Sequence, residues 1–440
     1  MRGNEFLDKM ELIDPAYVEA ADKKPVKQRG AWIKWGATAA CLFLVVSGVL
    51  SLRQHAIPGW PLSPNSQSTP VPGSYDSGMA LYPAETTPPE QSSLGTTEIA
   101  PNVSLSSDAI TIPALQVNAG FEGYMCYDLS ELDNGNPWSE EMNITSLPVY
   151  KNLAYDPTGA GIPRGLNEAE MMVQLNSVAT ALNLEMLETE FIRDGYVEKN
   201  GEWVLDETPT RIETETNNGI ITVEADGSIE YCLPEDGLAL PSEYHFTNSN
   251  TTAEEATKVL SYFMEEYKSL LNWTEPRANT FGDYDIFGDF YRSYSLYDAS
   301  GNDADDILNY NFCYIQFYPN EQGHLTLIRI KNGLENAEKI KDYPIITIQE
   351  ATERLCNGNY QSSVPLEFPG ESSIEKVELA YRTGRLEEIL LPYYRFYVLL
   401  PDSMNTRSAE LGLKTYGIYY VPALPDEYII NMPTYDGRFN

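Results

Sequence analysis

Eighteen consecutive residues without a charged side chain, 35–52, constrain this chain more than any other feature. Their centre, Ala39-Ala40-Cys41-Leu42-Phe43-Leu44-Val45-Val46, is strongly apolar. A helix of that length spans about 27 Å, close to the roughly 30 Å hydrocarbon layer of a bilayer. Trp32 and Trp35 suit the headgroup level, and Lys34 can extend its ammonium to water beside them. Lys23, Lys24, Lys27, Arg29 and Lys34 precede the run, whereas Arg53 alone closely follows it. That asymmetry keeps the N-terminus inside. The expectation is a single-pass protein of the cell membrane, with a cytoplasmic tail (1–30), a transmembrane helix (31–52) and a large extracellular C-terminal region. A cleaved signal peptide would begin nearer Met1 and end in small residues, not in Ser51-Leu52-Arg53-Gln54-His55. A lipoprotein would carry its cysteine at the end of the apolar run, and Cys41 lies inside it.

The chain beyond the run is acidic. Of 29 Lys and Arg residues seven precede residue 53, and of 65 Asp and Glu residues six do, so most of the net charge of −36 belongs to the outer part. Such a surface repels phosphate backbones and excludes nucleic acid as a partner. It suits a well-hydrated exported body. Hydrophobic residues make up 42% of the chain, enough for a core, and 440 residues suggest two or three folded units.

In the tail, Phe6, Leu7, Met10 and Ile13 recur at helical spacing until Pro15 interrupts them. This stripe is the candidate partner-binding site of the cytoplasmic side, with the lipid surface as the competing destination. Residues 53–112 read as a tether, rich in Pro, Ser and Thr and without apolar periodicity. In polyproline II form sixty such residues reach on the order of 180 Å.

The folded region is expected to repeat one scheme, a helix followed by strands. The segments are 113–240, 241–342 and 343–440. Apolar stripes predict helices over 167–184, 253–271 and 348–356, the first through Met171, Leu175, Val178 and Leu182. Strands are predicted over 191–197, 203–205, 211–216, 220–224 and 229–233, then 290–296, 310–318 and 325–331, then 374–381, 393–400 and 415–421. Asn218-Gly219 and Asp226-Gly227 supply hairpin turns. The fold class is therefore α+β, built of repeated helix-plus-antiparallel-sheet modules after a single transmembrane helix.

Catalytic patterns find little support. His55, His245 and His324 are the only histidines, and no spacing gathers them into a triad or metal site. Ser373-Ile374-Glu375-Lys376 matches S-x-x-K, but it leads into a predicted strand, where residues three apart face opposite sides. Asp298 to Asp306 is oxygen-rich, yet Asp303 stands where a calcium loop needs Gly and Asn309 where it needs Glu, so a solvated hairpin turn is expected. Asp283, Asp285 and Asp289 could supply carboxylates to a hydrolase and equally form a charged loop. No catalytic residue, metal site or cofactor is assigned. Cys126, Cys232, Cys313 and Cys356 fit either two disulfides or buried free thiols.

The remaining unusual feature is thirty tyrosines. In the strand Tyr393-Tyr394-Arg395-Phe396-Tyr397-Val398, alternation places Tyr393, Arg395 and Tyr397 on one face, and Tyr416 and Tyr420 form a similar row. Half-exposed sheets favour tyrosine for structural reasons. The functional expectation is a ligand-contact surface for a peptide, a glycan or a partner domain.

Two segments carry resemblances. The opening, Gly3-Asn4-Glu5-Phe6-Leu7-Asp8-Lys9-Met10 with Ile13-Asp14-Pro15-Ala16-Tyr17, resembles predicted Gram-positive single-pass membrane proteins often encoded beside extracytoplasmic-function (ECF) sigma factors. Ile346-Thr347-Ile348-Gln349-Glu350-Ala351, Asn357-Gly358-Asn359-Tyr360, Val377-Glu378-Leu379-Ala380-Tyr381, Leu391-Pro392-Tyr393-Tyr394-Arg395-Phe396-Tyr397-Val398 and Tyr419-Tyr420-Val421-Pro422-Ala423 are similar to PepSY-like modules of YycI/YycH-type regulators. These resemblances imply an extracytoplasmic module that restrains a signalling partner, either sigma-factor-linked or sensor-kinase-like. The tail, with no Cys and no His, differs from the zinc-binding multi-helix domains that sequester sigma factors directly. The functional expectation is a non-enzymatic, membrane-anchored sensor or regulatory protein. Its alternative is a cell-wall-facing binding or structural module, with a wall ligand and no signalling role.

Overall fold

The structure, a computed structural model, describes residues 104–113, 125–127, 135–157, 162–199, 201–284 and 288–438. The expected transmembrane helix and the tail stripe of Phe6, Leu7, Met10 and Ile13 lie outside the described residues. Among these, no helix is long and apolar enough to cross a membrane.

The body is mixed α+β, with more strand than helix. Its strands, in chain order, begin with β1 (Met125–Tyr127), β2 (Ser146–Asn152), β3 (Met186–Ile192), β4 (Tyr196–Lys199), β5 (Glu202–Leu205), β6 (Arg211–Thr216), β7 (Gly219–Glu224), β8 (Ile229–Cys232) and β9 (Leu238–Ala239). The middle of the chain adds β10 (Pro276–Tyr284), β11 (Phe290–Asp298), β12 (Cys313–Pro319), β13 (His324–Asn332) and β14 (Ala337–Pro344). The rest are β15 (Gln361–Ser362), β16 (Ile374–Tyr381), β17 (Ile389–Leu390), β18 (Pro392–Leu399) and β19 (Lys414–Pro422).

Fourteen of them form one antiparallel sheet, with main order β16-β18-β19-β1-β10-β11-β12-β13-β8-β7-β6-β3. The three sequence segments interleave in it. β8 of the first pairs with β13 of the second, and β1 stands between β19 of the third and β10 of the second. A smaller sheet, β14-β2-β17, also joins all three segments.

The principal helices are α1 (Glu168–Ala181), α2 (Ala253–Glu266), α3 (Asp303–Phe312) and α4 (Ile348–Cys356). Each starts with a reciprocal capping box: Asn167 with Glu170, Thr252 with Glu255, Asn302 with Asp305 and Thr347 with Glu350. Two otherwise unpaired backbone donors are satisfied at each start, which fixes where the helix begins. Buried Met171 and Leu175 of α1 and Val259, Leu260 and Phe263 of α2 share one core with Ile221, Val223, Ile315, Phe317 and Ile328 of the sheet. Phe263 stacks on Phe317 with ring centroids 4.4 Å apart. A second core gathers Ile307 and Phe312 of α3 and Ala351 and Leu355 of α4 against Leu379, Phe396 and Tyr419.

Several expectations are corrected. The oxygen-rich segment 298–306 is a helix entrance, not a hairpin turn: Asn302 caps α3, and the strand predicted over 310–318 begins only at Cys313. The strand predicted over 191–197 is divided between β3 and β4. The described end of the expected tether is folded into the body. Ile110 bridges to Ile429, Ile112 is buried, and the Asn431 side chain accepts from Ile112 N at 2.7 Å and donates to its carbonyl at 3.0 Å. Cys232, Cys313 and Cys356 are free thiols, two of them exposed.

Candidate functional site

The tyrosine row is the first place where the sequence directs attention. Register puts Glu378 of β16, Arg395 of β18 and Tyr420 of β19 opposite one another. The adjoining rungs are Ala380–Tyr393–Pro422 and Lys376–Tyr397–Ile418, with Leu399–Tyr416 beyond. Tyr393, Arg395, Tyr397, Tyr416 and Tyr420 therefore point to one side of the sheet. That side is closed: none of the five exceeds 4% exposure. Ile112, Val149, Tyr343, Leu391, Leu424 and Ile429 complete the cover. The expected open contact surface is an internal polar layer.

Its centre is Glu378. One carboxylate oxygen accepts from Arg395 Nε at 3.1 Å, from Arg395 Nη2 and from Tyr397 OH at 3.0 Å. Lys376 Nζ lies 2.8 Å from the other. Burial pushes the carboxyl up, but the charges of Arg395 and Lys376 outweigh it and hold Glu378 at about 2. The guanidinium also lies 5.4 Å from the Tyr397 ring centroid. A carboxylate locked this way neither exchanges protons near neutrality nor meets solvent. The cluster fixes the register of β16 and β18. Sequence reasoning missed Glu378, because nothing local in β16 marks it as the partner of Arg395.

A second cluster lies where four chain stretches meet, and it opens on a cleft. Arg385, from the loop between β16 and β17, donates through Nε to Asp226 at 2.6 Å and through Nη2 to Glu224. Lys331 of β13 donates to Ser228 Oγ at 2.5 Å and lies 4.0 Å from Asp226. Burial would raise Asp226, but Lys331 and Arg385, with the hydrogen bonds from Ser228, hold it well below the usual carboxylate range. Glu224 is raised, by burial and then by the charge of Asp226. Lys331 is lowered by burial, against the pull of Asp226.

The same loop is tied to β2. Asn152 Nδ2 donates to the carbonyls of Gly384 at 3.2 Å and Glu387 at 2.8 Å. The cleft beside these groups measures about 50 Å³, and Asn311, Tyr314, Asn336 and Thr383 are in its wall. That is room for a few water molecules. Asn336 is 4% exposed, and its Nδ2 has no hydrogen-bond partner. It packs against Gly165 and Gly227, both at positive φ, and a Cβ on Gly165 would come within 2.6 Å of Asn336 Oδ1. The sequence singled out Asp226-Gly227 as a turn, and the fold also makes it the floor of this joint.

The other expected positions are dispersed. Asp283 is buried in β10, Asp289 follows in the next loop, and Asp285 lies outside the described residues. Ser373 closes a short 3-10 turn and Lys376 is in β16 paired to Glu378, so the S-x-x-K spacing spans a turn and a strand. His245 stands 3.5 Å from Glu255, and His324 Nδ1 is 2.7 Å from the carbonyl of Asp236. Among the described residues no three His, Cys, Asp or Glu side chains converge as metal ligands would.

No protein-family model, no curated protein and no solved structure matches this chain.

Proposed function

We propose that this chain is a non-enzymatic, membrane-anchored extracytoplasmic sensor or regulatory protein. In this reading its acidic β-rich body is the outer part. The tail carrying Phe6, Leu7, Met10 and Ile13 couples it to a sigma-factor-linked or sensor-kinase-like partner in the membrane or cytoplasm. The carrying observation is the charge-free run 35–52 with basic residues concentrated on its N-terminal side. The arrangement of charge inside the body supports the same reading. Arg395 with Glu378 and Arg385 with Asp226 and Glu224 are closed on one another; the first set ties neighbouring strands and the second joins stretches about 160 positions apart. Groups used in this way tie segments of the body together. The PepSY-like C-terminal segment, read as an extracytoplasmic regulatory module, belongs to this proposal as well.

Two experiments test it. Alkaline phosphatase fused after residue 112 is expected to be active, and an inactive fusion with active cytoplasmic reporter controls would overturn the topology. Removal of residues 2–30 with the membrane segment kept is expected to change the transcriptional profile of the cells. A profile identical to that of the intact protein, at equal membrane abundance, would sink the signalling part.

A further inference from the structure

β4 and β5 form a two-stranded sheet that pairs with no other described strand. Tyr196 stands opposite Leu205, and Glu198 opposite Trp203. Residues opposite or two apart share a face, so Tyr196, Trp203 and Leu205 all point the same way. They are 45%, 57% and 45% exposed, whereas Val197 and Val204 on the reverse face are half-buried. An ordinary surface hairpin turns its bulkier apolar side inward, and this one turns it to solvent. Clustered exposed side chains of this kind mark contact sites.

The hairpin is held in place. Asp206 N donates to the Gly195 carbonyl at 2.8 Å, and Thr210 N to the Ile192 carbonyl at 2.9 Å. A Cβ on Gly195 would come within 3.1 Å of both Ile162 and Thr210, so the base is closely packed.

Charge decides the occupant. From 193 to 207 the chain carries Asp194, Glu198, Glu202, Asp206 and Glu207 against Arg193 and Lys199, and Arg193 is engaged by Glu168. The neighbouring edge of the large sheet continues the pattern, with Glu188 and Glu190 of β3 opposite Glu215 and Glu213 of β6. A second copy would bring acid against acid, and an anionic lipid surface would be repelled. We propose that this hairpin face docks a basic, apolar-faced peptide segment. Apolar side chains cover Tyr196, Trp203 and Leu205, while Lys or Arg groups meet the acidic rim and stack on Trp203. Each strand is about 13 Å long, which suits a contact of roughly four to six residues.

The test uses the purified full chain and three dye-labelled peptides: alternating Lys and Leu, alternating Lys and Ser, and alternating Glu and Leu. The Lys–Leu peptide is expected to bind tightest and the Glu–Leu peptide not at all. Binding should weaken as salt rises from about 50 to 500 mM. Trp203→Ser, and separately Tyr196→Ser with Leu205→Ser, are expected to weaken Lys–Leu binding at least tenfold (roughly the loss of one anchor residue). The circular dichroism spectra of these variants are expected to match the parent's, since the three positions are exposed. Equal binding of the Lys–Leu and Lys–Ser peptides, or affinity unmoved in both variants, would show attraction to overall negative charge and overturn the proposal. Trp203-dependent dimerisation, or Trp203-dependent sedimentation with phosphatidylcholine vesicles in place of peptide binding, would overturn it in favour of a second copy or a membrane.

Discussion

Glu378 and Arg395 face each other directly across the β16–β18 pair, and neither is more than 2% exposed. Removing Arg395 takes the buried guanidinium from the Glu378 carboxylate, which keeps Lys376 and Tyr397, whereas removing Glu378 takes the carboxylate from the buried Arg395. Arg395→Met is expected to cost about 3–5 kcal/mol in urea unfolding. Arg395→Met combined with Glu378→Leu should recover much of that loss, because an apolar pair no longer carries the desolvation penalty. A double-mutant cycle reads the coupling directly.

Acid dependence distinguishes the two ion clusters. Glu378 is lowered in the fold from an ordinary 4.5 to about 2, so its contribution is present above 4.5 and lost as pH falls towards 2. Glu224 is shifted the other way, so its contribution is present below 4.5 and lost as pH rises through its higher folded value. In unfolding free energy measured against pH, Glu378→Gln is expected to flatten the limb below 4.5, and Glu224→Gln the limb above it. A Glu378→Gln curve parallel to the parent's would show that Arg395 and Lys376 do not hold the carboxylate charged.

Helix caps give a smaller and cleaner signal. Thr252 and Thr347 each accept from the backbone N–H three residues ahead, at 3.2 Å. Alanine at either is expected to cost about 1 kcal/mol. Losses in the double variant should add, because each cap serves its own helix.

Two glycines at positive φ should respond unequally to alanine. At Gly219 (φ 117°) a Cβ would lie 2.2 Å from the carbonyl oxygen of Cys232 across the β7–β8 hairpin. At Gly201 (φ 81°) nothing lies within 4 Å. Gly201→Ala is expected to cost about 1–2 kcal/mol from conformation alone. Gly219→Ala must also displace backbone, so thermal unfolding should fall further for it. Equal losses would contradict the close approach.

Helices were the most legible part of the fold where an apolar stripe followed a capping residue. Residues 348–356 have the same bounds in sequence and structure. The end of α3 looks like a strand in sequence because Tyr310, Phe312 and Tyr314 alternate as a strand does, although only the last belongs to β12. The Asn302–Asp305 box was the available signal. β10 gives little strand signal in sequence because Pro276, Gly282 and Asp283 dilute its apolar content. The polar layer could not be read locally, since the burial of Arg395 depends on Glu378, seventeen residues earlier, arriving opposite it. The joint at Arg385 is more remote still. Its acidic partners lie about 160 positions upstream and meet it only through long-range assembly.

The clamp between Ile112 and Asn431, together with the Ile110–Ile429 bridge, binds the entry segment to the C-terminal stretch of the chain. Coming from residue 104, the chain meets a backbone bond from Ser106 to Glu427 and the Asp108 contacts to Lys341 and Tyr343 of β14 before it reaches this clamp. The entry segment is therefore held on both β14 and the C-terminal stretch, and at its far end Gln361, paired to β19, donates to the Pro113 carbonyl at 2.7 Å. Without this segment, the layer over β18 and β19 would lose Ile112, one of the residues that close it.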